Sequence, residues 1–218
     1  MLTIDSALPC DDKPIGDPHA ATLFHESRYL TSWVTPDSLE IQWKYSELTH
    51  GIAEQRDRIA ALWNYVKAIP YTQSVTTTVS VDSKTFVQKD AWLDPAQAIK
   101  VGHLNCFNKS VLLASLLRQE FSPQQVYVWL GNVQANGVDG HATAYLKLDD
   151  HYVLETTNPH VKSPFLKARD MDIYETVIFM NDKSVRYVPD TKLREPLGVC
   201  CVRWLEQYLN DKLCSEYF

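Results

Sequence analysis

Three short stretches carry the residue types of a nucleophile, a base and an orienting acid, in that chain order: Gly102-His103-Leu104-Asn105-Cys106, Gly140-His141-Ala142-Thr143-Ala144-Tyr145 and Tyr152-Val153-Leu154-Glu155-Thr156-Thr157-Asn158-Pro159. Cys106 stands where a loop passes into an apolar helical run. A thiol attacks well only as thiolate, and both a helix N-terminus and a neighbouring imidazolium lower its pKa. The chemistry this set allows is acyl transfer. Cys106 attacks an acyl carbon, His141 holds the proton and later delivers it to the leaving group, and Glu155 fixes the imidazole tautomer. Asp139, Asp149 and Asp150 stand close enough in sequence to be alternative orienters. The tetrahedral intermediate needs donors, of which the Cys106 N–H at the helix start is the first candidate. Tyr71 and Asn105 are candidates for a second donor, and Trp92 is a candidate cleft wall.

These side chains need a scaffold, and the chain's patterning supplies one. Residues 107–119 are apolar almost all round, which predicts a buried central helix. Ile52, Ile59, Leu62, Trp63 and Val66 recur at helical spacing ahead of Pro70, predicting an amphipathic helix over 52–69. Asp94-Pro95 predicts an N-cap with proline at the first helical position, so a short helix over 95–100 leads into Gly102. Residues 74–86, rich in threonine and valine, read as a hairpin or a loop. Runs over 126–130, 141–148 and 151–156 have strand composition, 174–180 and 184–188 flank a turn at 181–183, and 202–213 reads as a closing helix. The first fifty residues, with Pro9, Pro14, Pro18 and Pro36, read as an irregular arm. Helices before antiparallel strands make an α+β arrangement, and one domain over 1–218 is the expectation.

Asp149-Asp150 reads as a two-residue link between the histidine and glutamate strands. In that register position 141 pairs near 158 and 155 near 144, so His141 and Glu155 miss direct opposition. A bulge or bent strand end is then needed to bring them together.

The three stretches resemble the transglutaminase-like superfamily, whose pattern is a glycine-preceded cysteine opening a helix, a histidine starting a strand, and an acidic residue on the next strand followed by threonine and often proline. The match covers roughly 90–160. The resemblance implies a cysteine-protease-like α+β core with the cysteine helix packed on an antiparallel sheet. It further implies a thioester-forming enzyme acting on amide or peptide bonds of a protein or peptide-like substrate, as protease, amidase or transglutaminase, without a cofactor. The chain departs from the pattern at three places: Gly102 precedes Cys106 by four residues rather than two, Thr143 stands where an aromatic usually follows the histidine, and Glu155 replaces the usual aspartate. A second reading from another class is a transglutaminase-like domain kept for protein interaction.

Composition narrows the partners. With 21 basic and 27 acidic residues the formal charge is −6, and no basic run is present to neutralise several phosphates, which argues against nucleic acid. No stretch approaches the ~20 apolar residues of a spanning helix, and the first residues lack the basic and apolar regions of a secretory leader. Five cysteines without CxxC spacing suit a reducing, cytoplasmic setting. A zinc reading through His103, Cys106 and His141 lacks the second close ligand pair typical of structural zinc, so no metal is expected.

Overall fold

The computed structural model describes residues 2–5, 30–73, 75, 77–81, 84–88, 92–133, 139–170 and 174–187. After strand β1 (Leu2–Asp5) comes a one-turn 3-10 helix (Leu30–Trp33), followed by helices α1 (Leu39–Thr49) and α2 (Gln55–Ala68). A hairpin of β2 (Thr77–Val81) and β3 (Lys84–Gln88) precedes α3 (Pro95–Val101) and α4 (Cys106–Leu117). The remaining strands are β4 (Val126–Val133), β5 (Asp139–Lys147), β6 (His151–Leu154), β7 (Leu166–Lys167), β8 (Tyr174–Met180) and β9 (Ser184–Tyr187). Seven of these strands form one antiparallel sheet in the order β1-β9-β8-β4-β5-β6-β7, with helices packed against it; β2 and β3 pair separately.

The core follows from two periodicities. Along the sheet, alternate residues Val126, Val128 and Leu130, Ala142, Ala144 and Leu146, and Tyr152 and Leu154 join the helices in one apolar cluster. The intervening residues Tyr127, Tyr145 and Phe179 stack edge to face among themselves, Tyr145 and Phe179 with ring centroids 5.0 Å apart. Helix α4 is the centre of the helical layer: it touches α1, α2 and α3 as well as β4 and β5, and all twelve of its residues are buried. Phe107, Val111, Leu112, Leu113, Leu116 and Leu117 are each 0% exposed, and burying each such side chain stabilises by about 1.5–3 kcal/mol.

Several expectations shift by a few residues. The helix expected over 52–69 begins at Gln55, and the one expected from 107 begins at Cys106 itself. The 74–86 stretch takes the hairpin form. The larger correction concerns the arm. Residues 30–49 are not irregular, because Thr35 to Ser38 turn the chain into the eleven-residue α1. Its apolar residues do not share one face: Ile41 is fully buried, whereas Leu39 and Trp43 are 68% and 78% exposed. That mixed pattern hides the helix from a periodicity reading. The closing helix expected over 202–213 lies outside the described residues, as do Cys10, Cys200, Cys201 and Cys214.

Candidate active site

Cys106 is fixed by the local chemistry on both sides of the helix start. Asp94 and Gln97 form a reciprocal capping box that opens α3, and Gly102 ends it in the left-handed region at φ 77°, a conformation that costs a side-chain-bearing residue. The chain then crosses to Leu104, whose N–H donates to the Pro70 carbonyl (3.0 Å) and whose carbonyl accepts from the Thr72 N–H (3.0 Å). The Asn105 side-chain oxygen accepts from the Asn108 N–H at 2.9 Å, an N-cap that makes Cys106 the first residue of α4. Asn108 in turn accepts from the Leu93 N–H at 2.8 Å, so the segment before α3 is tied to the first turn of α4. Cys106 is 6% exposed.

His141 and Glu155 meet: His141 Nε2 lies 2.7 Å from Glu155 Oε2. The register explains how. β5 pairs with β6 as Ala144↔Leu154 and Lys147↔His151, so the turn spans three residues, Leu148 to Asp150, rather than two. That single-residue change inverts the parity expected from the sequence. β6 ends at Leu154, opposite Ala144, and Glu155 follows at that strand end, from which its carboxylate reaches the His141 ring. The β5–β6 pairing runs without a bulge, and the two side chains meet beyond the last paired residue of β6. Thr143 fastens the same junction by donating its hydroxyl to the Leu154 carbonyl at 3.0 Å.

Glu155 is 1% exposed, and both of its carboxylate oxygens are engaged. Its second carboxylate oxygen accepts from the Thr157 N–H and hydroxyl, both 2.6 Å, and from the Asn158 N–H at 3.2 Å. Its main-chain carbonyl accepts from the Trp63 indole at 2.8 Å. Burial pulls the carboxyl upward, but His141 and the Thr157 donors overcome it and hold the pKa at about 2. Burial likewise disfavours the charged imidazole. The Glu155 carboxylate and a hydrogen bond with Cys106 outweigh it, and the ring is pushed up to about 10. Sulfur, imidazole and carboxylate are thus in one chain of contacts, with His141 protonated at neutral pH.

The other candidates fare differently. Tyr71 is 51% exposed and its main chain bridges to Leu104, two residues before Cys106, so it stands at the rim of the cysteine loop. Asn105 serves α4 as its cap, with its amide oxygen committed to Asn108. Trp92 is not an open cleft wall: it is 7% exposed, stacks on Phe107 at 3.9 Å and meets Trp33 edge to face at 5.4 Å. Its ring fills the interior beneath the first turn of α4. Of the alternative orienters, Asp149 pairs with Arg56 (2.9 Å) and Asp150 with Arg169 (3.2 Å). His103 is exposed. Among the described residues no three His, Cys, Asp or Glu side chains are grouped to hold a metal ion, and no helix is long and apolar enough to cross a membrane.

Three supporting residues escape a reading of the sequence. Trp63 looks like ordinary helix core, and only its indole N–H reveals the tie to Glu155. Thr157 stands second after the acid, behind Thr156, and only its N–H and hydroxyl contacts single it out as the double donor to Glu155. Lys109 is buried inside the cysteine helix and donates to the carbonyls of Lys67 (3.2 Å) and Thr156 (3.3 Å).

No family model and no curated protein matches this chain. Among solved structures, calcium-bound LapG of Legionella pneumophila is similar at 13% identity and a TM-score of 0.39, covering 77% of this chain and 98% of that one. A candidate cysteine protease from Cytophaga hutchinsonii is similar at 12% identity and a TM-score of 0.39, covering 78% of this chain and 57% of that one. Both scores are low, and the chemistry of the site rests on this chain's own residues.

Proposed function

We propose that this protein is a thiol-dependent acyl-transfer enzyme of the transglutaminase-like kind, acting on amide or peptide bonds through a thioester on Cys106. The observation that carries the reading is the pair of partly buried His141 and fully buried Glu155, 2.7 Å between Nε2 and Oε2, in hydrogen-bond contact with a cysteine at the first position of a buried helix. With Nε2 bonded to Glu155, Nδ1 is the ring nitrogen left to face the sulfur.

In this reading the resting site is a thiolate–imidazolium pair. The Cys106 sulfur attacks the substrate carbonyl carbon, and the carbonyl π electrons move to oxygen, where the Cys106 N–H at the positive end of α4 stabilises the charge. As the tetrahedral species collapses, the C–N bond breaks and His141 gives its proton to the departing amine or ammonia. Water or an amine then attacks the thioester, its proton passing to His141 while the thiolate leaves. Glu155 holds the ring in one tautomer and orientation throughout. Tyr71, exposed at the loop rim, is assigned to contact substrate.

The test is selective alkylation. Iodoacetamide at neutral pH is expected to label Cys106 ahead of the chain's other four cysteines, and His141→Ala to slow that labelling. Labelling of Cys106 no faster than the rest, and unchanged by His141→Ala, refutes the enzymatic reading and leaves the interaction domain in its place.

A further inference from the structure

Helix α4 carries one charged residue among its twelve buried ones, Lys109. It lies three residues, nearly one turn, beyond Cys106 and is 1% exposed. An ammonium there loses its hydration, and a methionine fills similar space without that cost. The partners of Lys109 show what it holds. It donates to the Thr156 carbonyl, next in chain to Glu155, and to the Lys67 carbonyl near the end of α2. Lys67 sends its own ammonium to the Asn158 carbonyl at 2.7 Å. The two lysines therefore clasp the turn 156–158 whose N–H groups and threonine hydroxyl bind Glu155. The charged groups acting on Lys109 are Lys67 from α2, which repels it, and Glu155 from the end of β6, which attracts it.

We propose that Lys109 is a positioning residue: its buried ammonium ties the turn that carries Glu155 to the cysteine helix and so sets how strongly Glu155 charges His141. The inference rests on the acyl-transfer reading of Cys106. Its consequence is specific, because Lys109 then acts on the sulfur only through Glu155 and the ring. Burial, reinforced by Lys67, pushes the lysine itself down to about 8, with Glu155 opposing, as expected of an ammonium held mainly by carbonyls.

The experiment is the pH profile of Cys106 alkylation by iodoacetamide, read by mass spectrometry on the full chain, for the wild type, Lys109→Met, Glu155→Gln and the double variant. Lys109→Gln, which keeps a donor for Thr156 without the charge, serves where Lys109→Met fails to fold. The Lys109 variants are expected to raise the midpoint, cutting the thiolate fraction about threefold or more on its rising limb, and to add little to Glu155→Gln. A purely structural lysine lowers thermal stability and leaves the midpoint in place, which overturns the proposal. So does a shift that persists undiminished in the Glu155→Gln background. A wild-type midpoint at the ordinary cysteine value of about 8.5 is a different failure, removing the reading of Cys106 on which the inference rests.

Discussion

Replacing Glu155 by glutamine keeps the shape of the side chain and removes its charge, so it isolates what the ion pair with His141 contributes. Glu155 and Cys106 together raise the imidazole from its ordinary 6.5 to about 10, which corresponds to about 5 kcal/mol at 1.36 kcal/mol per pH unit and is a ceiling on what Glu155 alone contributes. The low carboxyl value of Glu155 reflects largely the same contact and is not added to it. Breaking a buried pair by removing one partner costs about 3–5 kcal/mol, which agrees. For a chain of 218 residues this is a fall in Tm of about 10 °C. The sign of the pH dependence follows from each partner. His141 is raised, so its contribution is full below 6.5 and is lost as pH rises through about 10. Glu155 is lowered, so its contribution is full above 4.5 and is lost as pH falls through about 2. The gap in stability between wild type and Glu155→Gln is therefore widest between about 4.5 and 6.5 and narrows on both sides. Denaturant melts across pH 3 to 10 measure it. A gap under about 1 kcal/mol at pH 6, or one that does not vary with pH, refutes the buried ion pair.

Two further substitutions separate positioning from packing. Asn105→Ala removes the cap on α4 and is expected to cost about 1 kcal/mol, with slower Cys106 alkylation because the cysteine's place at the helix start loosens; denaturant melts and the labelling rate check both. Trp92→Ala opens a cavity beside Phe107 and is expected to cost about 3–5 kcal/mol, seen as a loss of thermal stability. A Trp92→Ala protein as stable as wild type places the ring at the surface instead and contradicts its interior role.

Much of this arrangement is legible in the sequence, and the reasons differ by element. Helix α4 announces itself because residues 107–117 are apolar almost all round, a pattern that suits a buried helix. Asp94-Pro95 marks the start of α3 through two independent effects, a cap and a preset φ. The order of Cys106, His141 and Glu155 was readable because each sits at the edge of a recognisable element. The meeting of His141 and Glu155 is not, since Glu155 lies just past the last paired residue of β6 and its course there is set by tertiary contacts, among them the Trp63 indole on its carbonyl. Trp92 misled because an aromatic ring near a cysteine reads equally as cleft wall or core, and its stacking on Phe107 is a tertiary fact. Lys109 is inconspicuous in the sequence because one lysine in an apolar run normally lies at the surface with its ammonium in water. Only the carbonyls of Lys67 and Thr156, both distant in sequence, give it a place inside.

The most direct test of the account is the ionisation of Cys106 itself, followed by thiolate absorbance near 240 nm in the wild type against Cys106→Ser. An imidazolium stabilised by Glu155 and the positive end of α4 predicts a difference spectrum with a thiolate step well below the ordinary value of about 8.5, and loss of that step in His141→Ala. A step at or above 8.5, or one indifferent to His141, contradicts the claim that these residues form an activated nucleophile.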